Sequence, residues 1–407
     1  MTKKKDLIFA LILLVAAVAL VAVLDRVLPQ TGIIMTVLKK GCIYSLVAVS
    51  MNLLNGFTGL FSLGQAGFML IGGYTYAILT IPAADRASVY QYFDGGIVQF
   101  SIPFWAGLIC AGLVSALLAW LIGLPVLRLK SDYLAIATLG FAEIMRAFFQ
   151  WDTLGPLTNG SNMLRKYPSF TTLMFPFVVS AICIALIVML INSSFGRAFK
   201  AIRDDEIAAE AMGINLAHHK RMSFCISSFF AGIGGALLAM YQTSVQASIF
   251  KSAMTYEILL IVVIGGIGSI SGSVMASFLY IACSEWWLRF LDQETILTAA
   301  GRGRFIAVMA VIFVILLALM VFRLVRPKAK SRVRYGVGAG ICGAILIWLI
   351  VFAATGQTRV PLLRNGFRMV VFSVIIMIIV LFFSRGIMGT SELPDLFKKR
   401  GKKEAAK

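Results

Sequence analysis

Apolar and polar positions along this chain come in blocks. Runs of about 20 apolar residues, each enough to cross a hydrocarbon layer of about 30 Å as a helix, recur from end to end. We read twelve such segments, approximately at 7–28, 32–54, 64–82, 102–126, 133–149, 171–192, 222–241, 254–268, 273–291, 305–322, 335–354 and 366–384. The pattern predicts an all-α, polytopic integral membrane protein of about twelve transmembrane segments, with residues 1–407 as a single membrane domain. The first block follows Lys3, Lys4 and Lys5 as a signal peptide would. It is longer than a typical signal h-region and no small-residue cleavage site closes it, so it reads as a retained helix.

Glycine interrupts the blocks at two places. Asn55-Gly-Phe-Thr-Gly-Leu-Phe-Ser-Leu-Gly-Gln-Ala-Gly67 carries four glycines and several hydroxyl or amide side chains, without charge. Residues 265–273 have the same character in the second half. Unwound backbone at membrane depth survives only where it is buried or lines a cavity. Paired breaks in two halves point to a transport pathway between them. The other reading is close helix packing, since Gly and Ser let backbones approach in lipid. On the pathway reading, Asn52, Asn55, Thr58, Ser62 and Gln65 offer uncharged hydrogen bonds to a passing molecule.

The long polar block is 196–213, Gly196-Arg-Ala-Phe-Lys-Ala-Ile-Arg-Asp-Asp-Glu-Ile-Ala-Ala-Glu-Ala-Met-Gly213. Its composition predicts one short helix ending at Gly213. Phe199 and Ile202 share a side, and Lys200 and Asp204 are spaced to pair. Such a helix is either an ordinary solvated connection or a docking surface for a soluble partner, with Phe199, Ile202, Asp204, Glu206, Glu210 and Gly213 as its contact residues. Two further pairs lie inside apolar blocks, where an ionisable residue costs about 2.5–3.5 kcal/mol on insertion scales. Glu143 with Arg146, and Glu285 with Arg289, are spaced to neutralise each other on one helix face. Glu143, Thr138 and the loop cluster Thr158-Asn-Gly-Ser-Asn162 are also candidates for facing a zwitterionic substrate. Lys39 and Lys40 sit awkwardly within the second block.

Composition agrees with the pattern. The chain is 60% hydrophobic and 14% charged, with a mean hydropathy of +0.91, where soluble chains carry about a quarter charged residues. The net charge of +19 does not imply nucleic acid. Most of it falls in Lys3 to Lys5, Arg128, Lys130, the 196–221 and 323–334 loops and the tail 391–407. That is the positive-inside distribution, and it puts both termini in the cytoplasm with the basic residues against lipid head groups. Cys42, Cys110, Cys183, Cys225, Cys283 and Cys342 lie in apolar segments without a CxxC pair, so neither disulfide nor metal follows. His218 and His219 are adjacent, not at the i, i+4 spacing of a helical metal pair. Residues 265–272 are glycine-rich but lack the lysine of a P-loop. No catalytic arrangement stands out and no cofactor is implied, so any ATP used must be hydrolysed on another chain.

These residues together carry a resemblance. Asn52 to Phe68 followed by Gly72-Gly-Tyr-Thr75, Leu127 to Arg146, the 196–213 block, Thr255 to Gly272, and Phe367 to Gly389 occur in the order of the signature stretches of branched-chain amino acid ABC importer permeases, LivM-type subunits in particular. The resemblance implies a non-catalytic permease subunit in the bacterial inner membrane. Its partners would be a second, LivH-type permease, two cytoplasmic ATPases seated on 196–213 as a coupling helix, and an extracytoplasmic substrate-binding protein. Related importers for urea, short amides or small organic acids share the fold. A secondary carrier or channel is the reading from another class. The chain departs from the family pattern twice. Gln65 replaces a family histidine. About 65–75 extra residues, 293–361, precede the closing helix and hold two apolar spans, expected to form a peripheral excursion.

Overall fold

In a computed structural model the protein is described at residues 21–287, except 28, 31 and 130, and at scattered positions between 306 and 389. The chain divides into two compact units, Met1–Trp287 with Ser373–Lys407, and Leu288–Phe372. The expected excursion 293–361 falls in the second unit. Apart from isolated helical positions it lies outside the described residues, as do most of the first and last expected spans, Arg289 and the tail 391–407.

In the first unit the helices follow the apolar blocks. They are α1 (Ile33–Asn52), α2 (Gln65–Thr80), α3 (Phe104–Val126), α4 (Ser131–Gln150), α5 (Met174–Asn192), α6 (Ser194–Asp204), α7 (Glu206–Ala211), α8 (Leu216–Gln242), α9 (Ser252–Gly265) and α10 (Ile270–Ala282). Among the described residues the one pairing of β type is an isolated bridge, Leu164 to Val245. The count of twelve spans is not confirmed, since four of them lie mostly outside the described residues. Four described helices are long and apolar enough to cross a membrane, Ile33–Phe57, α3, α5 and α8, and a fifth if α2 and the turn Ala83–Val89, bent by 99°, form one span. α4 is less apolar because it carries Asp132, Glu143 and Arg146. α9 has 14 residues, about 21 Å of helix, because the second glycine break ends it early.

α2 and α8 form the centre, with α1 and α3 packed on them. The contact between α2 and α8 is made backbone to backbone. A Cβ on Gly72 would stand 2.1 Å from the Gly232 carbonyl oxygen, and one on Gly235 would stand 2.0 Å from that of Met69. Ser115 of α3 closes the layer by donating to the carbonyls of Ala111 at 2.8 Å and Phe68 at 3.2 Å. Between apolar helices in lipid there is no hydrophobic gain from association, so small residues and hydroxyls set the approach. The apolar excess points outward instead. Ile109, Leu113 and Leu117 on α3, and Ile182, Leu186 and Met189 on α5, are exposed stripes at helical spacing.

At the end of α2 the chain turns sharply and Arg86 becomes one of its most buried side chains, 1% exposed. Its guanidinium donates to the carbonyls of Ile78 at 2.9 Å and Phe100 at 2.7 Å, and to that of Val98. It thereby occupies carbonyls that the end of a helix and an irregular loop leave over. Arg86→Ala should fold but lose about 1–3 kcal/mol, the cost of leaving buried acceptors unpaired. Thermal unfolding of the detergent-solubilised protein measures it; an unchanged midpoint would show that the loop is held by other contacts.

Candidate functional site

The two glycine-rich breaks meet each other. α1 runs on through a π turn, Leu53–Phe57, and α9 ends at Gly265 before α10 restarts at Ile270. Asn52, fully buried, clasps one break to the other. Its Oδ1 accepts from the Gly268 amide at 2.8 Å, and its Nδ2 donates to the Ser269 carbonyl at 2.9 Å and to Ser273 Oγ at 2.8 Å. Gly56 fits because it has no side chain: a Cβ there would lie 1.9 Å from Asn52 Oδ1 and 2.5 Å from the Gly268 nitrogen. The second break is also covered by the chain's late turn, where the Met388 amide donates to the Gly265 carbonyl at 3.2 Å.

From Thr58 to Gly64 the backbone is irregular, with Thr58 in the right-handed helical region and Gly59 at φ +77°, and burial alternates along it. Thr58, Leu60, Ser62 and Gly64 turn inward, while Gly59 and Phe61 are exposed and Leu63 is half-buried. The polar residues picked out by sequence are therefore occupied by the fold. Thr58 Oγ1 donates to the Leu53 carbonyl at 3.1 Å. Asn55 Oδ1 accepts from the Ser62 amide at 3.2 Å. Gln65 Nε2 donates to Ser50 Oγ at 2.7 Å. Thr138 Oγ1 accepts from the Leu63 amide at 2.9 Å. Ser50 and Thr255, which receives the Ala66 amide at 3.1 Å, are further members of this network. Their single hydroxyls inside apolar blocks gave no local signal.

The 196–213 block is two helices, not the single one expected. Asp205 adopts extended backbone, φ −160° and ψ 112°, and its carboxylate accepts from the amides of Ile207 and Ala208. An aspartate that can cap the next turn competes with continuation of the helix. Gly213 ends α7 with φ +84°, as a C′ glycine does. Phe199 and Ile202 do share a side, but it is the buried one, 0% and 1% exposed. The surface of the hairpin includes Asp204, Glu206, Glu210 and Gly213 together with Ile207 and Met212, which are 82% and 83% exposed. The expected Lys200–Asp204 pair is replaced. Asp204 binds Arg203 at 2.8 Å, Glu206 binds Lys220 at 2.5 Å, and Lys200 Nζ lies 5.7 Å from the centre of the Phe57 ring.

Arg203 links this hairpin to the breaks. Its Nη1 donates to the Gly56 carbonyl at 3.3 Å. A Cβ on Gly59, where φ is +77°, would touch its Cγ at 3.0 Å, and one on Gly268 would stand 3.4 Å from Nη1.

Glutamates inside the apolar blocks find cationic partners at two places. Glu143 and Arg146 pair as expected at 2.7 Å, and Glu143 also accepts from the Ser252 amide at 3.1 Å. Glu285 pairs with Lys40; its expected partner Arg289 lies outside the described residues. Lys39 is accommodated by donating to Gln30 at 3.0 Å and to the Thr171 carbonyl. In the 158–162 cluster, Thr158 and Asn159 are buried and hold the loop together, with Asn159 Nδ2 donating to the Val89 carbonyl at 3.1 Å. Among the described residues no His, Cys, Asp and Glu cluster could hold a metal ion.

A bundle of apolar helices, broken by glycine in two places and reached by one charged hairpin, is the architecture of a membrane permease component. The description "Branched-chain amino acid transport system / permease component" matches residues 33–324, and the chain belongs to that family. It is 32% identical over 293 residues to the high-affinity branched-chain amino acid transport system permease protein LivM of Salmonella typhimurium, covering 64% of each chain. It is 22% identical over 252 residues to the corresponding LivH of Escherichia coli, covering 59% of this chain and 80% of that one. To the L-arabinose transport system permease protein AraH of Escherichia coli it is 25% identical over 249 residues, covering 58% and 71%. The match thus spans 64% of the length of the LivM relative. No solved structure matches.

Proposed function

We propose that the chain is the membrane-spanning permease subunit of an ATP-binding cassette importer, passing branched-chain amino acids delivered by an extracytoplasmic binding protein. A LivH-type permease would complete the membrane part. Two ATPases would dock on the α6–α7 hairpin, which faces the cytoplasm together with both termini. The observation that carries this reading is the exposed tip of the hairpin. Ile207 and Met212 stand almost free of their own chain beside Glu206 and Glu210, an apolar centre with an acidic rim of the kind protein interfaces use. The similarity to an arabinose permease supports a second reading of the cargo alone, in which the same machine carries another small solute chosen by its binding protein. In both cases the outward side chains of the 58–64 stretch, Phe61 and Leu63, are the ones available to cargo or to the partner permease.

Co-expressed with its ATPases and solubilised from membranes, the tagged chain should recover them. Ile207→Asp combined with Met212→Asp should cut that recovery by about tenfold or more, the effect of losing about 1.4–2 kcal/mol at an interface centre. Both side chains are exposed, so the amount of chain in the membrane should not change. Undiminished recovery would sink the docking assignment.

A further inference from the structure

We infer that Arg203 is a positioning residue that holds both glycine breaks to the α6–α7 hairpin, so that one displacement of the hairpin shifts the two breaks together. The inference rests on the reading of the hairpin as the ATPase-docking element.

Three features of the geometry lead to it. First, Arg203 bonds to one break and stands beside the other from a third element. It stands in the last turn of α6 with its stem against Gly59, and its Nη1 reaches the Gly56 carbonyl at 3.3 Å and lies beside Gly268. Second, the breaks are one mechanical piece. The three hydrogen bonds of Asn52 join Gly268, Ser269 and Ser273 to the end of α1, so a push at Gly56 is carried to the start of α10. Third, the Arg203 contact is light while the mounting of α6 is firm. The charge of Arg203 is balanced by its neighbour Asp204, through Nε at 3.0 Å and Nη2 at 2.8 Å. What remains toward the breaks is one long hydrogen bond and van der Waals contact with glycines. Such a contact can be made and released within a transport cycle without leaving a buried charge unpaired. α6 itself is seated by Phe199 and Ile202, both buried. Asp205 alone separates Arg203 and Asp204 from α7, so a load on Ile207 enters α6 next to Arg203.

A residue that only stabilised the fold would, when replaced, reduce the amount of complex. A positioning residue changes what the assembled complex does with each ATP. The test therefore uses the full complex of permeases, ATPases and binding protein in proteoliposomes, comparing wild type, Arg203→Met and Arg203→Ala for cargo moved per ATP hydrolysed. Met keeps most of the stem against Gly59 but cannot donate to Gly56; Ala removes both. The expected result is a graded fall in the ratio with hydrolysis retained, reaching about fivefold or more in R203A, the lower end of ordinary coupling energies. If R203A does not assemble, R203M decides on the same ratio, with a fall of about twofold expected. A ratio equal to that of wild type in the variant recovered overturns the inference and leaves the docking assignment standing. A wild-type complex that retains no ATPase overturns the docking assignment, and the inference falls with it.

Discussion

Gly72→Val leaves little or no folded protein. The position is enclosed by backbone, with the Gly232 carbonyl oxygen 2.1 Å and its Cα 2.5 Å from where a Cβ would stand. Overpacking against side chains costs about 1–3 kcal/mol because rotamers give way. Here the opposing atoms belong to α8, which cannot move back, since Gly232 in turn faces the Ala111 carbonyl and Ser115 of α3. The cost should exceed about 3 kcal/mol, and the whole α2–α8–α3 layer is involved. The measurement is the yield of monodisperse protein after detergent extraction, with Gly140→Val as the control. Gly140 has nothing within 4 Å of its Cβ position, so that variant should be recovered normally. Equal recovery of the two would mean that the close approach of α2 and α8 is not what builds the centre.

Asn52→Ala should have the second largest effect. The substitution deletes three short hydrogen bonds and leaves the Gly268 amide and the Ser269 carbonyl without the partner that joins the breaks. Interhelical hydrogen bonds in membrane proteins average about 0.6 kcal/mol and reach about 1.7, so three together come to about 2–5 kcal/mol. Because the loss is confined to the junction, the helices should still insert while the two breaks separate. A cysteine placed at Ser269, fully buried in the native chain, should be inert to aqueous thiol reagents in the Asn52 background. It should become reactive in Asn52→Ala, in a chain otherwise freed of cysteine. Equal inertness in both backgrounds would show that the junction does not depend on Asn52.

The positions of the helices were legible because apolar block length is a local property. The partners that decide the site were not, because they are remote in sequence. Asn52 and Gly268 are 216 residues apart, and nothing at either position announces the other. The same holds for Glu285. Arg289 is its obvious partner at i, i+4, and nothing local to Glu285 points to Lys40, 245 residues away, with which it pairs. Phe199 and Ile202 show a different limit. Their spacing correctly puts them on one face, but spacing does not say whether that face meets its own chain or another. The hairpin's available apolar surface proved to be Ile207 and Met212, which belong to a second helix created by the cap at Asp205. Along 58–64, reading the stretch as polar drew attention to Thr58 and Ser62. The fold instead turns those hydroxyls inward and leaves Phe61 exposed and Leu63 half-buried.

The late turn at 386–389 has a consequence for how the molecule is made. Gly266, with φ +117°, lies so close to Gly389 that a Cβ would stand 2.4 Å from its carbonyl oxygen, and Gly265 has its carbonyl occupied by the Met388 amide. The second break is therefore completed by residues that leave the ribosome more than a hundred positions after it. Until they emerge, the junction of α9 and α10 lacks these contacts. A product released before Met388 would lack the amide that the Gly265 carbonyl accepts from, and with it this cover on the second break.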